Sequence, residues 1–303
     1  MKAVVIGSNS FLAGHIIRKL AATGTELLLF GQELQPEFSG CRFYPFNIPG
    51  NAPDLSQLDD AGLVVYCAGA GTQPGTKEPE GLIYELNAFL PVRLFNYLSQ
   101  TGFKGAMVTF GSYFEIGSEP AERFYREDEL ATTGKKVFSH YAASKRMLTR
   151  YIHSAPGLPH HFHLVLPNLY GPGENPARLI PYILGALATG TPIRLTGGSQ
   201  VRQYLHATDA AEMVARLPGL DIPPGIYNLC RREPVTVREL AMEILATAGR
   251  PEDADRISFG TEQRADTAMP YLLLENEKCR LVAGFEPTVT IEEGIRTYLQ
   301  LTS

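Results

Sequence analysis

Paired cysteines, a surplus of positive charge and a long apolar run are all missing from this 303-residue sequence, and each absence excludes something. The four cysteines, Cys41, Cys67, Cys230 and Cys279, lie far apart and form no Cys-x-x-Cys pair. That spacing argues for reduced thiols and against a disulfide frame or a zinc site. A formal charge of −5 leaves no basic excess to hold a phosphate backbone. Nucleic acid is therefore set aside as a partner, while a local basic pocket for one or two phosphates is not. No stretch approaches the ~20 apolar residues that span a bilayer. Met1 also runs almost directly into the first apolar strand, leaving no room for a secretory leader. The expectation is a soluble, cytoplasmic protein without a metal.

What is present has the composition of an ordinary globular domain, 44% hydrophobic and 19% charged. "KAVVIG" reads as a buried strand, and "FLAGHIIRKLAATG" as a helix closing on Gly24. "ELLLFG", "RFYPF" and "GLVVYCAGAG" read as the next three strands. "EGLIYELNAFLPVRLFNYLSQTG" is helical, "GAMVTFGS" a fifth strand and "FHLVLPNLYG" a sixth. Unbroken apolar strands separated by helices predict an α/β fold, a doubly wound parallel sheet covered on both faces. In such sheets ligands bind beyond the carboxyl ends of the strands, here Gly7, Gly31, residues 67–69, 111–112 and 167–168. The expected organisation is a Rossmann domain over 1–167, with 202–232 returning to it. A smaller carboxyl-terminal substrate-binding lobe then comprises 168–201 and 233–303.

Three short stretches carry chemistry. "GSNSFLAG" follows the first strand where a dinucleotide loop belongs, and such a loop needs small residues so that main-chain N–H groups can approach a pyrophosphate. Read as G-x-x-G-x-x-G it supplies Gly7, then Ser10 and Ala13 for the other two glycines. In "HYAASK", Tyr141 and Lys145 are four apart on a helix and face the same way. A phenol is a poor acid–base at neutral pH unless a neighbouring cation stabilises its phenolate, which a lysine one turn away supplies. In "TFGSYFEIG", Ser112 stands at the carboxyl edge of the fifth strand, able to polarise a carbonyl. Each signal is weak alone; together they arrive in order at successive strand ends.

These stretches resemble the extended short-chain dehydrogenase/reductases, the NAD-dependent epimerase/dehydratase family, over nearly the whole chain. "GSNSFLAGHI" is similar to the family's GxxGFxG loop, "GSYFEIG" to its S-x-x-x-Y-G segment and "HYAASK" to its YxxSK. "PNLYGPGE" resembles its NxYGPG turn, and "SQVRQYLHATDAA" its R-D-(F/Y)-(I/V)-H-V-x-D segment. The closing "RADTAMPYLLLENEKCRLVAGFEPTVTIEEGI" resembles its arginine–aspartate and "LGW-P…EEG" segments.

The resemblance implies catalysis by Ser112, Tyr141 and Lys145, with Tyr141 passing the proton. It implies a cofactor, NADP or NAD, held by Gly7, Asn9, Ser10, Phe11, Leu12, Gly31, Asn47, Ile48, Cys67, Ala68, Gly69, Asn87 and Pro167 together with Tyr141 and Lys145. It implies a nucleotide-sugar substrate met by Ser112, Tyr113, Asn168, Arg178, Arg202 and Arg264, the guanidinium groups suiting a diphosphate. It also implies a homodimer.

Departures from the family pattern narrow the activity. Gly31 and Gln32 stand where an acidic residue marks NAD preference, so NADP is slightly favoured although no arginine follows. Tyr113 and Phe114 replace the dehydratases' Asp-Glu pair, and Tyr113 and Gly173 replace the cysteine and histidine of the epimerase-reductases. The expectation is an NAD(P)-dependent reductase of a nucleotide-linked 4-keto sugar. A nucleotide-sugar 4-epimerase and a non-catalytic dinucleotide sensor are the rivals. In "LPHHFHLV", His161 and His163 are expected to share a strand face at its partly exposed entrance, without a metal. His206 reads as structural.

Overall fold

Apolar runs of five or six residues form the central strands, and the amphipathic segments between them form helices. In the computed structural model, which describes residues 1–72, 77–262 and 268–302, the chain begins β1 (Lys2–Ile6), α1 (Phe11–Ala22), β2 (Glu26–Gly31), β3 (Arg42–Pro45) and β4 (Leu63–Tyr66). Next come α2 (Glu80–Tyr84), α3 (Leu90–Gln100), β5 (Ala106–Ser112), β6 (Phe124–Tyr125), α4 (Glu127–Thr132) and α5 (His140–Ser154). They are followed by β7 (His161–Leu166), β8 (Asn168–Tyr170), α6 (Leu179–Thr189), β9 (Ile193–Leu195), β10 (Val201–Arg202), β11 (Tyr204–His206) and α7 (Ala207–Arg216). The remainder holds β12 (Gly225–Asn228), β13 (Val235–Thr236), α8 (Val237–Thr247), β14 (Ile257–Phe259), β15 (Tyr271–Leu274), α9 (Glu277–Val282) and α10 (Ile291–Thr302).

Seven strands form one sheet in the order β12-β7-β5-β4-β1-β2-β3, and every pair is parallel. This is the doubly wound Rossmann arrangement. The chain moves one way from β1 through β3 and the other way from β4 through β12, so a crevice opens between β1 and β4 at their carboxyl ends. Ile6 is level with Phe30 on β2 and Tyr66 on β4, which places Gly7, Gly31 and Cys67 side by side. Successive side chains take opposite faces. Ala3 and Val5 join one apolar cluster with α1 and α7, while Val4 and Ile6 join another with α3 and α5. Fully burying one such aliphatic side chain stabilises the fold by roughly 1.5–3 kcal/mol.

A third cluster, including Tyr170, Ile183, Leu195, Leu240, Ile244 and Ile295, lies beyond the sheet's carboxyl edge elements. Beside it run a four-stranded sheet, β13-β10-β15-β6, and the pairs β11-β8 and β14-β9. None of the described helices is long and apolar enough to cross a membrane.

Three details differ from expectation. The helix over 80–100 is interrupted by a π-helical turn, Glu85–Phe89, that carries the buried Asn87. The predicted sixth strand splits at Pro167, which has no N–H to continue the ladder; β7 stays in the central sheet and β8 leaves it to pair with β11. His161 and His163 are buried rather than partly exposed, because β7 is an interior strand covered by α3 and α5. His163 sits between two hydroxyls, Thr109 Oγ1 at 2.8 Å and Thr149 Oγ1 at 2.9 Å. Burial holds its imidazole well below the ordinary histidine range.

Candidate active site

The turn from β1 into α1 is shaped by Gly7 and Ser10. Gly7 has φ +87°, and a Cβ on it would lie 2.3 Å from the Ala68 nitrogen. Only a glycine lets the β1 turn approach the end of β4 this closely. Ser10 is the N-cap of α1, its Oγ accepting the Ala13 N–H at 3.2 Å. Ala13 is fully buried and keeps the helix against the sheet. The cap takes the Ala13 N–H, and the other first-turn amides of the helix, which have no intrahelical partners, make a ready anion site.

Asn9, Ser10, Phe11 and Leu12 form one wall of a cavity of about 410 Å³. Cys67, Ala68 and Gly69 from the end of β4 form its floor, with Pro167 and Asn168 beside them. Burial pushes the Cys67 thiol up to about 12 despite Lys145 and the Ser10 hydroxyl, so it stays neutral.

The opposite wall carries Ser112, Tyr141 and Lys145. Ser139 caps α5 by accepting the Ala142 N–H at 3.2 Å, which sets Tyr141 in the first turn and Lys145 one turn later. Lys145 Nζ lies 5.9 Å from the Tyr141 ring centre and donates to the Phe110 carbonyl at 2.9 Å. Burial pushes its ammonium down to about 8, while Glu115 and then Cys67 work in the opposite direction. The Tyr141 phenol is raised, first by burial and also by Glu115. A hydrogen bond with Ser112 and the Arg178 guanidinium act to lower it.

A second cavity of about 270 Å³ shares Gly71, Thr72, Phe114, Asn168, Leu169 and Arg178 with the first, so the two form one cleft. Arg178 faces both halves from the start of α6. Arg202 lines the second half with its side chain almost wholly buried. Its guanidinium donates to the Val201 and Pro270 carbonyls at 2.9 and 3.1 Å. Arg264 lies outside the described residues.

Several expected contacts serve as frame. Asn87 is fully buried; its Oδ1 accepts the Ala70 N–H at 3.1 Å, and its Nδ2 donates to the Ala70 carbonyl and to Ser144 Oγ. It fixes the loop after β4 to α5. At Gly31 a Cβ would fall 2.3 Å from Asn9 Oδ1. Asn9 occupies that space and binds the turn itself, accepting from the Gln32 and Glu33 amides and donating to the Glu33 carbonyl. Asn47 and Ile48 lie beyond β3, where Asn47 bridges to Asn51, and neither lines the cleft. Tyr113 also departs from expectation. The helical turn after Ser112 sends it into the core, 1% exposed, and presents Phe114 to the cleft instead.

Sequence reading missed Phe114, Ser139 and Glu174. The "GPGE" turn was the available signal for Glu174, which lines the second cavity and accepts a hydrogen bond from Tyr298 on α10. Burial pushes its carboxyl up to about 7. The opposite side of that turn is held by His15 on α1, 3.0 Å from the Pro172 carbonyl. His206 caps α7 and is buried, as a structural residue would be. Among the described residues no group of three metal-ligating side chains converges.

A cleft walled by the helix N-terminus that follows a glycine turn, and lined by a Ser–Tyr–Lys set, invites comparison with known proteins. The sequence profile of the NAD dependent epimerase/dehydratase family matches residues 3–230. The chain belongs to that family. It is thus an enzyme of the extended short-chain dehydrogenase type. It is 26% identical to a dTDP-4-dehydro-6-deoxy-D-allose reductase of Streptomyces bikiniensis, over 99% of this chain and 94% of that one.

Among solved structures, DesIV, a dTDP-glucose 4,6-dehydratase from Streptomyces venezuelae with NAD bound, superposes with a TM-score of 0.81 at 21% identity. That match covers 99% of this chain and 97% of that one. The UDP-glucose 4-epimerase of Thermotoga maritima superposes with a TM-score of 0.83 at 17% identity, over the full length of both. These two show the shared fold.

Proposed function

We propose that this enzyme reduces the ketone of a nucleotide-linked 4-keto sugar. The observation that carries the reading is the composition of the larger cavity: Ser112, Tyr141 and Lys145 line it with Asn9, Ser10, Phe11 and Leu12, and no carboxylate is among its described lining residues. Dehydration and carbon-acid epimerisation need a further acid or base beside the tyrosine; Phe114 stands there instead. The likeness to the Streptomyces reductase supports the same activity.

The first-turn amides of α1 and the Gly7 turn fit a dinucleotide pyrophosphate, and Lys145 suits the nicotinamide ribose. When bound, the nicotinamide supplies the hydride. Ser112 Oγ then holds the sugar ketone by a hydrogen bond, and Tyr141 donates its phenolic proton to the developing alkoxide. The Lys145 ammonium stabilises the phenolate left behind until solvent returns a proton. Arg202 and Arg178 in the second half of the cleft suit the substrate diphosphate, and Arg264 is proposed to join them. NADP remains slightly preferred, because Gly31 and the neutral Asn9 carboxamide bring no carboxylate to the 2′ position. Arg18 on α1 is engaged by Glu37, so the discrimination expected is small.

The test is oxidation of NADPH and NADH by a dTDP-4-dehydro-6-deoxyhexose. Tyr141→Phe is expected to lower kcat by about 10²–10⁴-fold with cofactor affinity unchanged. Unchanged turnover in that variant would sink the mechanism. Retained NAD together with interconversion of UDP-glucose and UDP-galactose would establish the epimerase instead.

A further inference from the structure

Behind the reacting groups lies a buried carboxyl that the reduction as described leaves unused. Glu115 closes the helical turn after β5. Its Oε1 accepts the Ser112 N–H at 2.6 Å, while Ser112 Oγ accepts the Phe114 N–H at 3.4 Å. The side chain is fully buried, and the Thr149 hydroxyl on α5 faces its carboxyl. Arg146 spends its guanidinium on main-chain oxygens, those of Glu115 and Lys135.

Gly111 shows how tightly the carboxyl is set. A Cβ there would lie 2.7 Å from His163 Nε2 and 2.9 Å from Glu115 Oε1, so imidazole and carboxyl close over the strand from one side. Lys145 holds the same strand end through the carbonyl of Phe110, two residues before the amide that Glu115 holds. Carboxyl and ammonium thus grip β5 at neighbouring points.

We propose that Glu115 is a positioning residue for Ser112, Tyr141 and Lys145: its carboxyl fixes the Ser112 main chain, and its negative charge holds Lys145 as an ammonium. This inference rests on the catalytic roles proposed above. The titratable and charged groups facing Glu115 are Lys145, Arg146 and Tyr141 from α5 and His163 from β7; the uncharged Thr149 hydroxyl on α5 and the Ser112 N–H at the end of β5 also meet its carboxyl. Burial keeps His163 neutral, so it does not compete for the charge. Burial brings the Glu115 carboxyl up to about 7 and the Lys145 ammonium down to about 8.

The sign of the effect follows from charge. Removing a negative neighbour lowers the pKa of an ammonium and of a phenol alike. Glu115→Gln keeps an acceptor for the Ser112 N–H and removes only the charge. Its alkaline limb of kcat, for NADPH with the same 4-keto sugar, is expected to move down by about one pH unit. In the cofactor-free protein, the Tyr141 phenol, read as ultraviolet tyrosinate absorbance against Tyr141→Phe, should ionise at lower pH than in the parent.

Glu115→Val removes the acceptor too and should lower kcat about tenfold across the whole profile. If both the pH profile and the tyrosinate titration of Glu115→Gln superimpose on the parent's, the proposal is overturned. Tyr141→Phe separates the two levels. Inactive Tyr141→Phe beside an unshifted Glu115→Gln defeats only this inference, whereas active Tyr141→Phe defeats the catalytic reading beneath it. Should Glu115→Gln fail to fold, infrared titration of the parent decides. A carboxylate band at the pH of maximal turnover is required, and a Glu115 carboxyl that stays protonated there overturns the proposal.

Discussion

Gly7→Ala tests the cofactor turn with magnitudes that the geometry supplies. At φ +87° an L-residue costs about 1–2 kcal/mol relative to glycine. The new methyl would also lie 2.3 Å from the Ala68 nitrogen, 2.5 Å from its Cα and 2.8 Å from the Cys67 carbonyl carbon. All three are main-chain atoms of a buried strand end and cannot rotate aside, so relief requires the β1 turn to withdraw from β4. Overpacking of this kind costs about 1–3 kcal/mol, giving a total of about 2–5 kcal/mol.

The withdrawal displaces the first turn of α1, where the pyrophosphate is proposed to bind, so cofactor affinity should fall at least about tenfold, which corresponds to about 1.4 kcal/mol. Urea unfolding followed by circular dichroism measures the first effect and calorimetric titration with NADPH the second. Gly24→Ala is the control: its φ is +72°, but nothing lies within 4 Å of its Cβ position. It should show the backbone cost alone, about 1–2 kcal/mol, with cofactor affinity intact. Equal stability losses in the two variants, with unaltered cofactor binding in both, would refute the close-approach argument.

Two further outcomes are expected. Arg202→Met should raise the KM for the nucleotide sugar by about 10–100-fold, the loss of a charge-assisted hydrogen bond worth about 1.5–3 kcal/mol, with little change in cofactor affinity; steady-state kinetics checks it. His163 is buried and neutral, whereas the unfolded chain gains a proton as pH falls below about 6.5. Stability should therefore decline as pH drops through that value, by at most about 1.4 kcal/mol per pH unit from this residue. A His163→Gln protein should show a flatter pH dependence in chemical denaturation.

The central sheet was legible because its strands are continuous apolar runs ending in small residues, a pattern that only a strand buried on both faces requires. The Ser112, Tyr141 and Lys145 set was legible for a related reason: strand ends and a four-residue helical spacing suffice to bring the three together. What escaped reading depends on which way a side chain turns after regular structure stops. Tyr113 and Phe114 are adjacent and both aromatic, and only the helical turn after β5 decides that the first is core and the second faces the cleft. His163 reads from sequence as a partly exposed imidazole because the hydroxyls that satisfy it, Thr109 and Thr149, are distant in sequence. Asn9 likewise takes a place that sequence alone assigns to residue 31, because a space can be filled from a neighbouring loop.

The strand order bears on how the chain acquires its shape during synthesis. The outermost neighbour of β7 is β12, and the whole stretch from Asn168 to Pro224 must be made before β12 exists. Until then the edge of β7, with its sequence HFHLVL, offers unpaired amides and carbonyls along an apolar strand. Such an edge is a template for pairing with another chain. A nascent polypeptide interrupted between these points therefore exposes an adhesive margin, and a fragment ending before Gly225 should be recovered as aggregate even though six of the seven strands of the central sheet are complete.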